Sequence, residues 1–553
     1  MLKKFKLNLP NGKDIHVSRG ESLYDALKHS KFNSSMPIVL GKINKKYYEL
    51  SSKINEEGDF IPVTIDDNMG LRTYIRSLRF VLIKAALDVF KDCKITIEHS
   101  LSKGLFGEIH KSNSLNEDDI FKIKNRMKEI IEEDIPIKKI TVKIEEAIKI
   151  FSQYNMEDKV RLLSNISLKE VKLYELEGRK DYFYGPMVYS TGVLKNFDLM
   201  YYEPGFILRY PTAENPIEIP EFIEYKKLTR IFRETEKWAG ILGLGDVGAL
   251  NNKVVKGETP DVIRVSEALH EKKIANIADL ISEKKDVKII LIAGPSSSGK
   301  TTFANRLSIQ LRVNGLVPFS ISLDDYFVDR EHTPKDENGE YDFESIYALD
   351  LELFNKNLVD ISLGKEVELP SFDFKKGMRV WEGKKIKIPK NGILIIEGIH
   401  GLNNILTEHI PDKNKFKIYI SALTQLNIDD HNRISTTDVR IIRRIVRDYL
   451  SRGYGAEDTL KMWPSIKKGE EKNIFVFQEN ADVMFNSTLV YELCVLKKYA
   501  LEELNKINVQ SPVYYEALRL KSFLNFFKEV PTDDVPNNSI LREFIGGSCF
   551  YKY

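Results

Sequence analysis

The chain has 553 residues, 42% hydrophobic and 30% charged. That is too long for one hydrophobic core of about 250–300 residues and too apolar for extensive disorder, so about three or four domains are expected. Eighty-three Lys and Arg against 81 Asp and Glu give a formal net charge of +2, which excludes a global basic field for unspecific nucleic-acid binding but not a local basic face. Cys93, Cys494 and Cys549 lack paired spacing; this excludes a disulfide framework or a Cys-rich zinc module and fits a reducing compartment. Residues 1–6 are basic, but no apolar stretch follows before Pro10, so no signal peptide is read. The longest apolar runs, near 289–293 and 393–396, are too short to span a membrane. A soluble, cytoplasmic protein with no membrane partner is expected.

Residues 1–66 read as a small α/β unit. Phe5-Lys6-Leu7-Asn8-Leu9 alternates like a half-buried strand, Pro10-Asn11-Gly12 signals a turn, and Ile15-His16-Val17 is the return strand. Ser22 can cap a helix in which Leu23, Ala26 and Leu27 share a face. Short apolar runs follow, ending at Val63-Thr64-Ile65. This order resembles the TGS domain, a β-grasp module at the front of threonyl-tRNA synthetase. Residues 67–235 resemble the α+β editing-type domain of the same synthetase, including Ile97-Glu98-His99-Ser100-Leu101. The resemblance implies a metal-type constellation of His-x-x-x-His and Cys-x-x-x-His. Its four ligand positions fall on Arg76, Phe80, Phe183 and Met187, none of them a good metal ligand. His99 and His110 lack a third ligand and read as structural. The expectation is a retained scaffold without the hydrolytic site.

Gly243-Leu244-Gly245-Asp246-Val247-Gly248 fits Gly-x-Gly-x-x-Gly, but dinucleotide binding needs a strand before it and a helix after. Here a helix-like stretch, 228–242, precedes it and Asn251-Asn252-Lys253 looks turn-like, so a glycine-rich turn is expected. Residues 236–285 form a bridge, helical from about 258, with Asp261 or Thr259 as cap and Leu269, Ile274, Ile277 and Leu280 at helical spacing. His270-Glu271 lacks a second His and reads as surface polar.

The strongest signal follows. Val287-Lys288-Ile289-Ile290-Leu291-Ile292-Ala293 is a buried-strand run, and Gly294-Pro295-Ser296-Ser297-Ser298-Gly299-Lys300-Thr301 fits Gly-x-x-x-x-Gly-Lys-[Ser/Thr]. Phe303, Leu307 and Leu311 then mark a helix that Asn314-Gly315 stops. Gly294 and Gly299 let the backbone N–H groups turn inward onto phosphate, and the helix N-terminus adds its partial positive charge. Lys300 reaches the β/γ-phosphates and the Thr301 hydroxyl can ligate Mg²⁺. Residues 294–302, ending at Thr302, are the expected ATP cradle. The next strand, 316–323, ends in Asp324-Asp325-Tyr326-Phe327; a carboxylate there can accept a hydroxyl proton or help hold Mg²⁺, and one of the two Asp should be supporting. Ile393-Leu394-Ile395-Ile396 ends in Glu397, a Walker-B-type position. Arg440, Arg443, Arg444 and Arg447 form a helical stripe. It reads as a lid over transferring phosphate, as a solvated face paired with Asp438, Asp448 and Glu457, or as a tRNA-facing surface.

Together these residues resemble the uridine kinase/phosphoribulokinase family of P-loop kinases. The resemblance makes Asp324 the catalytic base beside Lys300, with Thr301, Asp324 and Glu397 at Mg²⁺. It maps the acceptor-holding segment to Tyr341-Asp342-Phe343-Glu344 and a second one to Phe372-Asp373-Phe374, keeps Arg379, and shares Ala481-Asp482-Val483. The family's base-reading Tyr is Phe372 here and its following His falls near Gly377, which weakens uridine in particular as acceptor. Asp342, Phe372, Arg379 and Arg440 are therefore the expected acceptor residues, and Arg443, Arg444 and Arg447 join the ATP set.

The fold class expected is multidomain α/β and α+β: a β-grasp (1–66), an editing-like α+β domain (67–235), a helical bridge (236–285), a P-loop domain with a mostly parallel sheet (286–490) and a helical extension (491–553). The activity expected is ATP- and Mg²⁺-dependent phosphorylation of a pyrimidine nucleoside 5′-hydroxyl. A phosphoribulokinase-type sugar-phosphate kinase and a nucleotide-regulated tRNA- or RNA-binding protein are the alternatives. The expected partners are a small-molecule acceptor, RNA at the front domains and a second copy of the chain.

Overall fold

The structure, a computed structural model, describes residues 4–551 except 11, 33, 337–338, 374–375 and 425. Of the residues discussed above, 1–3, Asn11 and Phe374 lie outside the described set. Contacts divide the chain into two compact units. The first comprises Met1–Glu224, Asp246–Ala249 and Asn427–Arg433; the second comprises Tyr225–Gly245, Leu250–Leu426 and Ile434–Tyr553.

The first unit opens with β1 (Lys4–Asn8) and β2 (Asp14–Ser18), an antiparallel pair burying Phe5, Leu7, Ile15 and Val17 on one face. Helix α1 (Leu23–His29) starts at Ser22, whose hydroxyl accepts the Asp25 N–H at 3.1 Å. Strands β3 (Leu40–Ile43), β4 (Lys46–Tyr48) and β5 (Gly58–Val63) complete a sheet of order β2-β1-β5-β3-β4, with β1 and β5 parallel. This is a β-grasp arrangement. Helix α2 (Asn68–Val89) follows, its first N–H groups bound by Asp67. Next come β6 (Lys94–Leu101), β7 (Gly104–His110) and α3 (Glu117–Glu132), the last closed by a capping box between Asn116 and Asp119. Then follow β8 (Lys138–Lys143), α4 (Ile144–Gln153), α5 (Glu157–Ser164), β9 (Glu170–Leu176), β10 (Arg179–Asp181), β11 (Asp198–Tyr202) and β12 (Gly205–Arg209). They form two antiparallel sheets, β10-β9-β8 and β11-β12-β7-β6.

Helix α6 (Lys226–Leu242) runs through residue 235 and ends where Gly243 adopts φ +64°, a left-handed C-cap. The glycine-rich segment joins two helices, as expected of a turn. However, Asn251, Asn252 and Lys253, read as turn-like, lie inside α7 (Val247–Val255). Helix α8 (Thr259–Glu283) has Glu258 at its N-cap with no side-chain bond, so neither Thr259 nor Asp261 caps it. His270, read as a surface residue, is buried in α8; its Nε2 meets the Thr488 carbonyl at 3.2 Å and its ring lies 5.1 Å from that of Phe485. Isolated polar residues inside a helical pattern do not reveal which face is covered.

The second unit continues with β13 (Ile289–Ala293), α9 (Lys300–Val313), β14 (Val317–Ser322) and α10 (Leu351–Ser362). A short ladder pairs β15 (Val367–Glu368) with the later β18, and a hairpin joins β16 (Ser371–Asp373) to β17 (Met378–Val380); β18 is Lys385–Ile386. After β19 (Gly392–Glu397) and β20 (Lys415–Ser421), the chain leaves for β21 (Asn427–Asp429) and β22 (Asn432–Arg433) of the first unit. It returns with α11 (Thr436–Arg447), α12 (Ala456–Asn473), β23 (Val483–Asn486), α13 (Glu492–Leu504), α14 (Tyr514–Leu524) and α15 (Arg542–Ile545). The sheet order is β14-β19-β13-β20-β23 and every pairing is parallel. β13 and β19 are buried throughout, which is why both read as unbroken apolar runs. Parallel pairing brings the C-terminal ends of β13, β14 and β19 side by side. Among the described residues no helix is long and apolar enough to cross a membrane.

Candidate active site

The loop between β13 and α9 is shaped by three backbone requirements. A Cβ at Gly294 would stand 2.1 Å from the Ile420 carbonyl oxygen, so only glycine fits there. Ser297 and Gly299 adopt φ +59° and +84°. The Ser297 and Ser298 hydroxyls are buried without hydrogen-bond partners. The Lys300 Nζ bonds back to the Pro295 carbonyl at 3.2 Å. Burial lowers the Lys300 pKa, opposed by the charges of Glu397, Asp324 and Glu543. A cationic side chain held in this way, with orphaned hydroxyls around it, suits an incoming phosphate.

Two neighbouring strand ends supply the acids. Asp324 lies in a 3₁₀ turn, Leu323–Tyr326, whose start is capped by the Ser322 hydroxyl. Glu397 ends β19 and accepts hydrogen bonds from Thr301 Oγ1 at 3.2 Å and Ser322 Oγ at 3.1 Å. Burial, then the Asp324 charge, pushes the Glu397 pKa up to about 7. Asp325 supports the turn instead, since its Oδ1 accepts the Phe372 N–H at 3.3 Å and so ties the turn to β16. Thr301, Glu397 and Asp324 fit Mg²⁺, which takes one or two carboxylates and completes its shell with phosphate and water.

The arginines of α11 are not a solvated face. Arg443 is 1% exposed. Its guanidinium donates to Glu492 Oε1 and Oε2, the Ser297 carbonyl, and the Ser487 hydroxyl and carbonyl. Those five bonds use all five donors, so Arg443, expected at ATP, instead braces the loop from beneath. Arg440, expected at the acceptor, donates from Nε to the Ser296 carbonyl at 3.0 Å and pairs with Glu470, over the Trp463 ring. Arg444 reaches Ser296 Oγ at 2.6 Å and Asp448 at 3.0 Å. The Arg447 Nε has no hydrogen-bond partner. Asp438, the first of the three expected partners, pairs instead with Arg519 at 2.6 Å. Glu457 bonds Lys461 and Ser511. Just after α11 the chain widens into a π-helical turn at Asp448–Arg452, and buried Asp448 gathers Arg444, Arg447 and Arg452.

Three of the four expected acceptor residues, Asp342, Phe372 and Arg379, lie on the segment after Tyr326. The Asp342 carboxylate accepts the Glu344 N–H at 3.2 Å. The Phe372 ring meets Phe327 edge-on at 5.8 Å. Arg379 is held by Asp350 at 3.0 Å and the Phe327 carbonyl at 3.3 Å. Two more carboxyl groups stand out, Glu470, which had no sequence signal, and Glu344, which ends the expected acceptor segment. Glu470 accepts the Ser296 N–H at 2.8 Å. Burial, then Glu470, pushes the Glu344 pKa up to about 7, and its Oε2 has no partner.

In the first unit, the four positions of the editing constellation do converge, but as packing. The Phe80 and Phe183 rings lie 5.2 Å apart, and both join Met187 in one core. The Ser77 hydroxyl contacts the Met187 sulfur at 3.7 Å, and Arg76 bonds the Pro186 carbonyl at 2.7 Å. His99 is buried against Phe106, and desolvation lowers its pKa to about 3. His110 faces Glu108 at 3.4 Å.

A parallel sheet carrying a phosphate-binding loop, an acid on the adjoining strand and an arginine-braced loop define a P-loop kinase. Residues 289–492 match the family described as Phosphoribulokinase / Uridine kinase family. A uridine kinase of Staphylococcus aureus is 30% identical over 182 residues, covering 33% of this chain and 78% of that one. The chain belongs to this family. A threonine–tRNA ligase of Caldanaerobacter subterraneus is 28% identical over 200 residues, which are 36% of this chain. The similarity lies in the front part, and the chain spans only 31% of that ligase's length. A solved structure described as a possible uridine kinase from Bacillus stearothermophilus is 20% identical, with a TM-score of 0.25, covering 36% of this chain and 89% of that one.

Proposed function

We propose that the protein transfers the terminal phosphate of ATP to the 5′-hydroxyl of a pyrimidine nucleoside, with Asp324 accepting the hydroxyl proton. The observation that carries this is the placement of Asp324 at the end of β14, close enough for its charge to act on both Lys300 and Glu397. Lys300 and the loop of residues 294–302 hold the phosphates, while Arg444 and Arg447 offer further donors. Mg²⁺, when bound at Thr301, Asp324 and Glu397, neutralises charge developing on the phosphate oxygens. Asp324 orients the acceptor hydroxyl and takes its proton; Asp342, Phe372 and Arg379 position the acceptor. The chain's contribution is positioning and charge complementarity.

A second acceptor class, sugar phosphates, is favoured by Phe372, which lacks the hydroxyl that would read a base. ATP consumption measured with nucleosides, nucleotides and sugar phosphates in turn separates the two. Turnover with uridine or cytidine is expected; turnover with sugar phosphates alone would replace the nucleoside assignment. Asp324→Asn should lower kcat by about 10²–10⁴-fold and leave ATP binding in place by nucleotide titration. Normal turnover in that variant would remove Asp324 as the base.

A further inference from the structure

The phosphate cradle is already engaged by an anion from the same unit. The free N–H groups of a helix N-terminus are where phosphate binds. At the N-terminus of α9, Thr302 donates both its N–H, at 3.3 Å, and its hydroxyl, at 2.8 Å, to one oxygen of Glu543. The Tyr551 hydroxyl bonds the same Thr302 oxygen. Ile540 lies over Gly299, where a Cβ would meet its Cγ2 at 2.6 Å. The segment bearing Glu543 is organised by Arg542, which donates to the carbonyls of Thr532 and Val535 at 3.0 and 2.6 Å. Ile540, Leu541 and Phe544 are buried, with Phe544 beneath the Arg443 guanidinium at 5.0 Å. So well packed a segment has no reason to leave as a whole. Its carboxylate, however, has a second partner at hand: Glu543 Oε1 is 3.9 Å from Arg447 Nη1, and the Arg447 Nε, 3.7 Å from Asp448, makes no hydrogen bond.

We propose that the Glu543 carboxylate is a built-in competitor for the nucleotide phosphate at Thr302, and that nucleotide binding turns it from Thr302 onto Arg447. The consequence is a nucleotide affinity set below what the loop alone would give, by the fraction of time the carboxylate holds Thr302. The proposal rests on residues 294–302 being the ATP site.

The test is titration of the full-length protein with ATP, ADP, AMP and adenosine, as wild type, Glu543→Ala and Glu543→Gln. A carboxylate that holds Thr302 about nine-tenths of the time weakens phosphate-bearing ligands about tenfold. Glu543→Ala should regain that factor for the three nucleotides and leave adenosine unchanged, with Glu543→Gln between the two. Equal nucleotide affinity in all three proteins overturns the proposal alone, as does an equal gain for adenosine. No ATP binding by any of them overturns the proposal together with the ATP site. Should both variants fail to fold, a crystal structure of the wild type with ADP decides: the carboxylate should have left Thr302, and finding it still bonded there beside ADP overturns the proposal.

Discussion

Arg443 and Arg444 are neighbours on one helix, yet the structure gives them different work. Arg443 spends every donor on Ser297, Ser487 and Glu492. Removing it leaves the Glu492 carboxylate buried and unpaired, so Arg443→Ala should cost about 3–5 kcal/mol of stability in a denaturant titration. Arg444 keeps donors in reserve above the loop. Arg444→Ala should cost about 1 kcal/mol of stability but lower kcat by about 10²–10³-fold. The buried histidines give a pH signature. Desolvation lowers His99 and His270 to about 3 and His400 to about 4. In the unfolded chain each protonates near its ordinary value of about 6.5 while the folded form stays neutral. Stability therefore holds above that value and falls as pH drops towards 4, by up to about 1.4 kcal/mol per pH unit per group. His270 sits in a shell of Trp238, Phe485, the Thr488 carbonyl, Arg306 and Arg443. His270→Gln should flatten that slope by its own share when the unfolding midpoint is followed from pH 7 to 4.

Among the elements, the strand–loop–helix of the phosphate site was legible because all its chemistry lies in one contiguous stretch. The loop needs glycine at 294 and 299, Lys300 follows, and local periodicity marks the flanks. Glu470, Glu492 and Glu543 were not legible. Glu470 and Glu543 meet the loop from α12 and α15, and Glu492 meets Arg443 from α13, through packing that no local spacing announces. The same limit hid His270 and gave the arginines of α11 the wrong orientation: spacing showed that they share a face, but not that the face is covered. The editing-like elements were legible in the opposite sense, as substitutions. Phe80, Phe183 and Met187 occupy their places as hydrophobic packing and Arg76 as a brace on Pro186. The purified protein should accordingly carry well under one zinc per chain by elemental analysis and leave mischarged tRNA intact in a deacylation assay. Stoichiometric zinc with deacylation would reverse that reading of the four positions.

For the molecule as a whole, a kinase joined to a region similar to threonine–tRNA ligases raises the question of RNA. With a net charge of +2 there is no global field, and Arg440 and Arg443 of the α11 stripe are committed to the loop. Filter binding of tRNA should show no dependence on ATP, whereas small-molecule phosphorylation continues. ATP-dependent retention without turnover would favour a nucleotide-regulated RNA-binding protein instead.

The insertion of Asn427–Arg433 into the first unit bears on that unit's stability. Lys159, wholly buried, is paired by Asp181 at 3.0 Å and Asp429 at 2.7 Å, while His431 bonds Asp181 at 2.6 Å. Half of that ionic cluster is encoded more than 240 residues after Asp181. Without residues 427–433, Lys159 would keep Asp181 but be short of one counter-charge. A chain cut at residue 224 should therefore be less stable than the same unit supplied with residues 427–433, a departure from the usual domain-by-domain independence.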